Sequence, residues 1–290
     1  MLSTEDIEHV LARTSSIWEK FRGGRLFVTG GTGFVGKWLL ESLIAANERN
    51  GLGLEAVVLS RNPGEFRIAM PHLANNPAIK MWQGDVRTFN FPDQCFTHVI
   101  HAATDVAAAA KPLDIFDVAV AGTRRVLDFC RARQVGKLLL LSSGAVYGRQ
   151  PPNVPNIPES YEGAPGTTAL SSAYGIGKRA SEWLAYAYAS ESGADVAIAR
   201  CFAFVGPYLP IDKHFAIGNF IRDALLSDEI CIGGDGTPLR SYLHAADMAI
   251  WLWTIFANSS NGAVFNVGSD EGISILDLAS TIMHVSGRSI

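Results

Sequence analysis

The chain has 290 residues, 48% of them apolar and 18% charged, with a formal net charge of −4. That length buries a full core in one large domain or two lobes, and the balance excludes a disordered chain, a basic nucleic-acid-binding surface and a membrane partner, since no window reaches the roughly 18 apolar residues a span needs. Cys95, Cys130, Cys201 and Cys231 are far apart and form no CxxC or Cys/His spacing, which argues against a disulfide framework or a zinc site. With an acidic N-terminus lacking a signal-like apolar stretch, they fit a reducing, cytoplasmic setting.

Residues 4–21 place Ile7, Val10, Leu11, Thr14, Trp18 and Phe21 on one helical stripe, with Ser3 and Thr4 as caps. A leading amphipathic extension over 1–24 is expected to pack on the domain that follows. Strand patterns come next, near 25–29, 55–60, 79–83, 97–101, 137–142 and 195–201. Helical patterns at about 35–48, 113–133 and 171–192 separate them. Alternation of β-branched and leucine-rich runs with helices predicts an α/β fold, a Rossmann-type doubly wound parallel sheet over 25–205. Residues 149–168 carry five prolines and read as an irregular loop. From Gly206 the order becomes mixed: a helix around 214–226, a short strand at 229–232, a helix near 245–257 and a strand near 263–267. Residues 206–290 are therefore expected to form a smaller C-terminal substrate lobe. "WLWTIF" at 251–256 has the spacing of a helix interface.

The stretch "RLFVTGGTGFVGKWLLESL" is a strand, a glycine turn and a helix. Gly30, Gly33 and Gly36 fit G-x-x-G-x-x-G. Small residues there let backbone N–H groups approach a pyrophosphate at the helix N-terminus. The second strand ends in Ser60 and Arg61, where a carboxylate for an adenosine ribose would otherwise stand, and a cation with a hydroxyl suits a 2′-phosphate. In "SAYGIGKRASEW", Tyr174 and Lys178 lie four apart on one helix face. A free tyrosine has a pKa of about 10, so acting as a base near neutral pH requires nearby positive charge. His101 ends a buried strand and reads as a positioning residue.

Taken in order, "GGTGFVG", "GDV" at 84–86, "HAA" at 101–103, "SSGAVYG", "YGIGK", "RCFAFVGP" at 200–207, "GDGTPLRSYLHAADMA" at 234–249 and "FNVGSDEGIS" at 265–274 resemble the extended short-chain dehydrogenase/reductases, the NAD(P)-dependent nucleotide-sugar epimerase/dehydratase family. The resemblance covers residues 25–285. It implies that Ser143, Tyr174 and Lys178 are catalytic: Ser143 bonds the sugar oxygen at the reacting carbon, Tyr174 moves the proton, and Lys178 lowers the tyrosine pKa and holds the nicotinamide ribose. Ser142 is read as structural. Cofactor contacts fall on Gly30, Thr32, Gly33, Phe34, Val35, Gly36, Ser60, Arg61, Asp85, Val86, Ala102 and Ala103, together with Tyr174 and Lys178. Asp85 is expected to meet the adenine. Arg240 corresponds to the family arginine on the sugar-nucleotide diphosphate, and Asn219 and His214 are further substrate-facing candidates. The expected cofactor is NADP, with NAD as the alternative, and the expected assembly is a homodimer through helices like those at 113–133 and 171–192.

Departures from the family pattern narrow the chemistry. Dehydratases of this family carry an Asp-Glu pair just after the hydroxyl residue and decarboxylases a Glu, whereas Gly144 and Ala145 stand here. Elimination loses its acid/base pair. Ala119 replaces the usual relay Asn before "VAGT", and Ala203 replaces the Asn of "RxFNVYGP". The resemblance also places a further C-terminal segment, past the point matching Ile290, among the parts that complete the sugar pocket. The expected activity is reduction of a nucleoside-diphosphate 4-keto-6-deoxyhexose. A 4-epimerase is the alternative, and a 4,6-dehydratase or a non-catalytic dinucleotide sensor stands behind both.

Overall fold

The structure, a computed structural model, describes residues 1–104, 111–212, 215–260 and 262–287. The Ser3 hydroxyl accepts from the Asp6 N–H at 3.0 Å and starts α1 (Thr4–Thr14), whose buried stripe is Val10, Leu11 and Thr14. Trp18 and Phe21 follow in a 3-10 turn rather than on the helix itself. β1 (Arg25–Thr29), the glycine turn and α2 (Phe34–Asn50) lead to β2 (Glu55–Ser60). Two short helices, α3 (Pro63–Ala69) and α4 (Pro71–Ala74), each open on a proline, whose fixed φ suits a first helical position. β3 (Ile79–Gln83), β4 (His98–His101), α5 (Pro112–Ala132), β5 (Lys137–Ser143), α6 (Ala173–Ser192) and β6 (Asp195–Cys201) complete the alternation.

Then come β7 (Ala203–Val205), α7 (Ala216–Leu226), β8 (Leu239–Arg240), β9 (Tyr242–His244), α8 (Ala245–Asn258), β10 (Ala263–Val267), β11 (Ile273–Ser274) and α9 (Ile275–Ser286). The central sheet has seven strands in the order β10-β6-β5-β4-β1-β2-β3, every neighbouring pair parallel. Its strands are buried on both faces. Phe27, Val57, Val99 and Leu138 join α5 and α6 in one core layer, while Leu26, Val28, Val58 and Leu139 join α1, α2 and α8 in the other. Strand order reverses between β2-β1 and β1-β4, so a crevice opens at the C-terminal ends of β1 and β4, where doubly wound sheets bind their ligands.

The region drawn together from the sequence as residues 206–290 is divided. β10 pairs with β6 at the edge of the main sheet, and α8 packs beneath it. The small lobe is built from α7, α9 and two short two-stranded ribbons, β7-β9 and β8-β11, around Ile217, Phe220, Ile230 and Leu278. The strand expected at 229–232 does not form. Only Glu229 makes a β-bridge, and the Cys231 N–H turns to the Asp223 carboxylate at 3.4 Å instead of to a neighbouring strand. α9 closes the lobe and has its own cap, the Ser274 hydroxyl on the Asp277 N–H at 3.0 Å. Among the described residues no helix is long and apolar enough to cross a membrane.

The N-terminal extension is part of the main core. Trp18 and Phe21 are fully buried against Trp253 and Phe256 of α8, with ring centroids 4.8 Å apart for Trp18–Trp253 and 5.4 Å for Phe21–Phe256. The Trp18 indole N–H donates to Thr14 at 2.9 Å, so its polar atom is satisfied inside. Trp18→Ala is expected to cost about 3–5 kcal/mol in urea unfolding, as for other large aromatic truncations in cores. A loss below about 1 kcal/mol would mean that the extension is merely laid on the surface.

Candidate active site

The glycine turn brings two backbone segments into contact at the sheet crevice. Gly30 has φ +72°, and a side-chain carbon there would lie 2.5 Å from the Ala102 carbonyl carbon and 2.6 Å from the Ala103 nitrogen. Gly36 faces the Gly30 carbonyl so closely that any side chain would collide with it. Gly33 is the N-cap of α2 and supplies no side-chain cap, which leaves the first-turn N–H groups open toward the crevice. Thr32 sits half-buried within this turn, while Phe34 and Val35 open the helix packed against the core. Val86 is buried against Gly122 of α5. The Thr29 hydroxyl accepts the Ala103 N–H at 3.1 Å and fixes the Ala102–Ala103 segment.

His101 is held from both sides, Nδ1 by Thr29 at 2.7 Å and Nε2 by Thr123 at 3.0 Å. Burial drives its pKa down to about 3, with Lys178 adding to the effect, so it is a neutral strut. At the end of β2, Ser60 is buried and its hydroxyl accepts the Asn62 N–H at 3.2 Å, while Arg61 is exposed. Asp85 is engaged by Arg87, whose guanidinium donates to both carboxylate oxygens at 2.9 Å. That pairing holds the Asp85 carboxyl below its ordinary range, and Arg61 lies near enough to contribute.

β5 delivers Ser143 and α6 delivers Tyr174 and Lys178 to the same crevice. The Ser143 hydroxyl accepts the Ala145 N–H at 3.1 Å, which leaves its own proton to be donated. Tyr174 is half-buried, and the hydroxyls of Ser143 and Thr104 approach its phenol. Lys178 Nζ lies 6.0 Å from the Tyr174 ring centroid and donates to the Leu141 carbonyl at 2.9 Å. An ammonium has three donors, and among the described residues the Leu141 carbonyl takes one of them. Burial pulls Lys178 down to about 8, against a raising influence of Cys201 and Glu182, and burial pushes the Tyr174 phenol up, against the two hydroxyls. The phenol therefore keeps its proton near neutral pH.

Ser142 points away from this centre and donates to the Glu182 carboxylate. Glu182 is buried and paired with Arg200 at 2.8 Å; Arg200 donates to the Tyr147 hydroxyl at 2.7 Å, and Tyr147 donates to Asn266 at 2.7 Å. The Asn266 N–H and side-chain amide in turn hold Glu159 and the Ile157 carbonyl, tying the proline-rich loop to the end of β5. Sequence reading missed Glu182, although it follows Lys178 by one helical turn.

Substrate candidates are spread over the small lobe. Arg240 is exposed on β8, with its guanidinium on the Leu239 carbonyl at 2.7 Å. Asn219, on α7, lines a cavity of about 310 Å³ with Phe220, Ile232, Asp235 and Pro238. His214 lies outside the described residues. His244 caps α8 through the Ala246 N–H at 3.3 Å and has a structural role.

The sequence model of the "NAD dependent epimerase/dehydratase family" matches residues 26–268. The chain belongs to this family. It is 30% identical over 264 residues to "UDP-glucuronic acid decarboxylase 6" of Arabidopsis thaliana, a match covering 90% of the chain and 74% of that protein. Among solved structures it resembles a dTDP-glucose 4,6-dehydratase of Bacillus anthracis in complex with NAD, at 20% identity and TM-score 0.78, covering 91% of this chain and 82% of that one. It also resembles a UDP-glucose 4-epimerase of Thermotoga maritima with UDP-glucose, at 22% identity and TM-score 0.76, covering 91% and 83%.

The residues present fit the dinucleotide of the NAD dependent epimerase/dehydratase family. Gly30 and Gly36 let the turn close tightly against the Ala102–Ala103 segment and on itself, where a side chain would collide with backbone, and this leaves the start of α2 without a side-chain cap at the end of β1, with the buried Lys178 ammonium held by the Leu141 carbonyl on the same side of the sheet end.

Lys178 also makes stability depend on pH. The unfolded chain keeps this lysine protonated up to about pH 10.4, the folded chain only up to about 8, so the unfolded state binds more protons across that window and stability rises with pH through it. Relative to Lys178→Met, the wild-type protein is expected to gain up to roughly 3 kcal/mol between pH 7.5 and 10.5 in urea unfolding. Parallel pH profiles for the two proteins would contradict a buried, depressed ammonium.

Proposed function

We propose that the chain is an NAD(P)-dependent oxidoreductase acting at C4 of a nucleoside-diphosphate hexose, and that it reduces a 4-keto-6-deoxy sugar. One observation carries the reading. Ser143 and Tyr174 converge as two hydroxyl donors beside a buried ammonium, and no carboxylate stands at Gly144 or Ala145 to run an elimination or decarboxylation. The relatives named for decarboxylation and dehydration share the family. The residues at 144 and 145 support neither reaction here.

Two O–H donors aimed at one oxygen suit a ketone, whose oxygen accepts both bonds and gains negative charge in the transition state. The bound dinucleotide supplies a hydride donor and acceptor at its nicotinamide. Ser143 orients and polarises the carbonyl, and Tyr174 gives its phenolic proton to the oxygen as the carbon becomes a carbinol. Its raised pKa keeps that proton in place near neutral pH. Lys178 holds the ribose end of the site and compensates the phenolate that remains. Arg240 supplies a guanidinium fork suited to the diphosphate. Arg61 and Arg87, together at the ends of β2 and β3, support a 2′-phosphate and hence NADP. A 4-epimerase is the second reading, favoured by the same small residues at 144 and 145, because a retained cofactor returning its hydride needs no other acid or base. The exposed Trp183 and Tyr186 of α6, beside α5, support a homodimer through these helices.

Stoichiometry separates the two activities: one NADPH oxidised per 4-keto sugar consumed is expected, with Tyr174→Phe losing turnover at least about 100-fold while still binding cofactor. Conversion of an ordinary nucleoside-diphosphate hexose into its C4 epimer without added reductant would overturn reduction and establish epimerisation. Arg61→Ala is expected to weaken NADPH about 10–100-fold and leave NADH nearly unchanged, as for loss of one charge-assisted contact. Equal losses for both cofactors, read by fluorescence titration, would remove the argument for the phosphate.

A further inference from the structure

Reduction draws one proton from Tyr174 in every turnover, so the phenolate must be refilled before the next. An epimerase has no such need, because its tyrosine takes a proton from the sugar oxygen and returns it within the same cycle. The surroundings of the phenol therefore bear on which reaction it serves. Ser143 faces the sugar oxygen on the functional reading above. The Cys201 thiol is pushed up to about 12 by burial and gives up its proton poorly. Lys178 is 3% exposed and held by the Leu141 carbonyl, and the way past it toward α5 is closed. Ala119 is buried there, and a side-chain carbon at Gly177 would lie 2.9 Å from the Ala119 Cβ. The Ala119 carbonyl accepts the Ser181 hydroxyl at 2.8 Å, which also reaches the Gly177 carbonyl at 2.9 Å. Helices packed this closely leave no space for a chain of waters, and residue 119 brings no polar side chain to carry one.

Thr104 offers the open side. His101 pairs with Leu140 across β4 and β5, and Thr104 and Ser143 each follow that pair by three residues, so the two hydroxyls leave neighbouring strand ends. The Thr29 hydroxyl and the close approach of Gly30 hold Ala102 and Ala103, which lead to it. Its hydroxyl approaches the Tyr174 phenol, yet the residue is exposed, unlike Lys178. We infer that Thr104 relays protons from solvent to Tyr174 and so resets it between turnovers; the inference rests on the reductive reading above. Once Tyr174 has given its proton to the carbonyl oxygen, the Thr104 hydroxyl donates its own proton to the phenolate and takes one from a water on its exposed side. Buffer acid restores the water. One O–H bond breaks and one forms at Thr104, which ends as it began.

The test follows NADPH absorbance by stopped flow, with dTDP- and UDP-linked 4-keto-6-deoxyglucose as the sugars offered. Thr104→Val removes the hydroxyl and keeps the shape. Its first NADPH per site is expected to be oxidised at the wild-type rate, since the phenol starts protonated, while its steady-state rate falls about 10–100-fold. Thr104→Ser carries a hydroxyl again and is expected to recover most of the steady-state rate, with cofactor affinity by fluorescence titration the same in all three proteins. Thr104→Ala replaces the valine variant if that one does not fold by thermal unfolding. An unchanged steady state in a folded variant without the hydroxyl, or a first turnover slowed as much as the later ones, would overturn the relay while leaving reduction standing. Conversion of a nucleoside-diphosphate hexose to its C4 epimer without reductant, or no turnover of any 4-keto sugar by the wild type, would overturn the reductive reading and the relay with it.

Discussion

A buried carboxylate must be paired, and the part of this molecule that carries the candidate site is arranged around that requirement at Glu182. Its partners come from three separate elements: Arg200 from β6, Ser142 from β5, and the charge of Lys178 one turn earlier on α6. Satisfying Glu182 fixes α6 against the ends of two central strands. Ser143, next to Ser142 on the opposite side of the strand, is thereby aimed at the face where Tyr174 emerges. The same Arg200 reaches Tyr147, and through Asn266 the network holds the loop that borders the site. Removing one charge would leave the other stranded in the interior, so the arrangement acts as a unit.

Chemistry follows from what this frame presents and what it withholds. It presents two hydroxyls, one ammonium and an uncapped helix start. Directly after Ser143 it carries no carboxylate, since Gly144 and Ala145 stand there. Similarity to a decarboxylase at 30% identity and likeness in fold to a dehydratase therefore coexist with Gly144 and Ala145 after Ser143. Family membership describes the cradle, and the residues within 144–145 describe what is done in it.

The main sheet was readable because its strands are covered on both faces, so each is a continuous apolar run with turn residues at its end; all six strands expected through β6 form within a residue or so of their patterns. Tyr174 and Lys178 were readable from helical spacing, and the glycine turn from its triplet. Less visible was anything set by contact across the fold. "ICIG" has the composition of a strand, yet its N–H groups find a side chain and loop rather than a partner strand. Residues 245–267 follow the small lobe in sequence but return to the main sheet, because α8 is apolar nearly all round and must be covered by α1 and α2. The direction of the Tyr174 shift was also hidden. Spacing shows the nearby lysine, while the burial that raises the phenol pKa belongs to the tertiary structure.

The central claim is that bond making is confined to one carbon–oxygen centre, with no proton taken from a neighbouring carbon. Turnover of the sugar substrate in deuterium oxide, followed by NMR of the product, tests it most directly. The account predicts hydrogen retained at C5, with the only carbon-bound hydrogen that changes being the one at C4. Deuterium at C5 would contradict it, since that exchange requires a base that Gly144 and Ala145 do not supply.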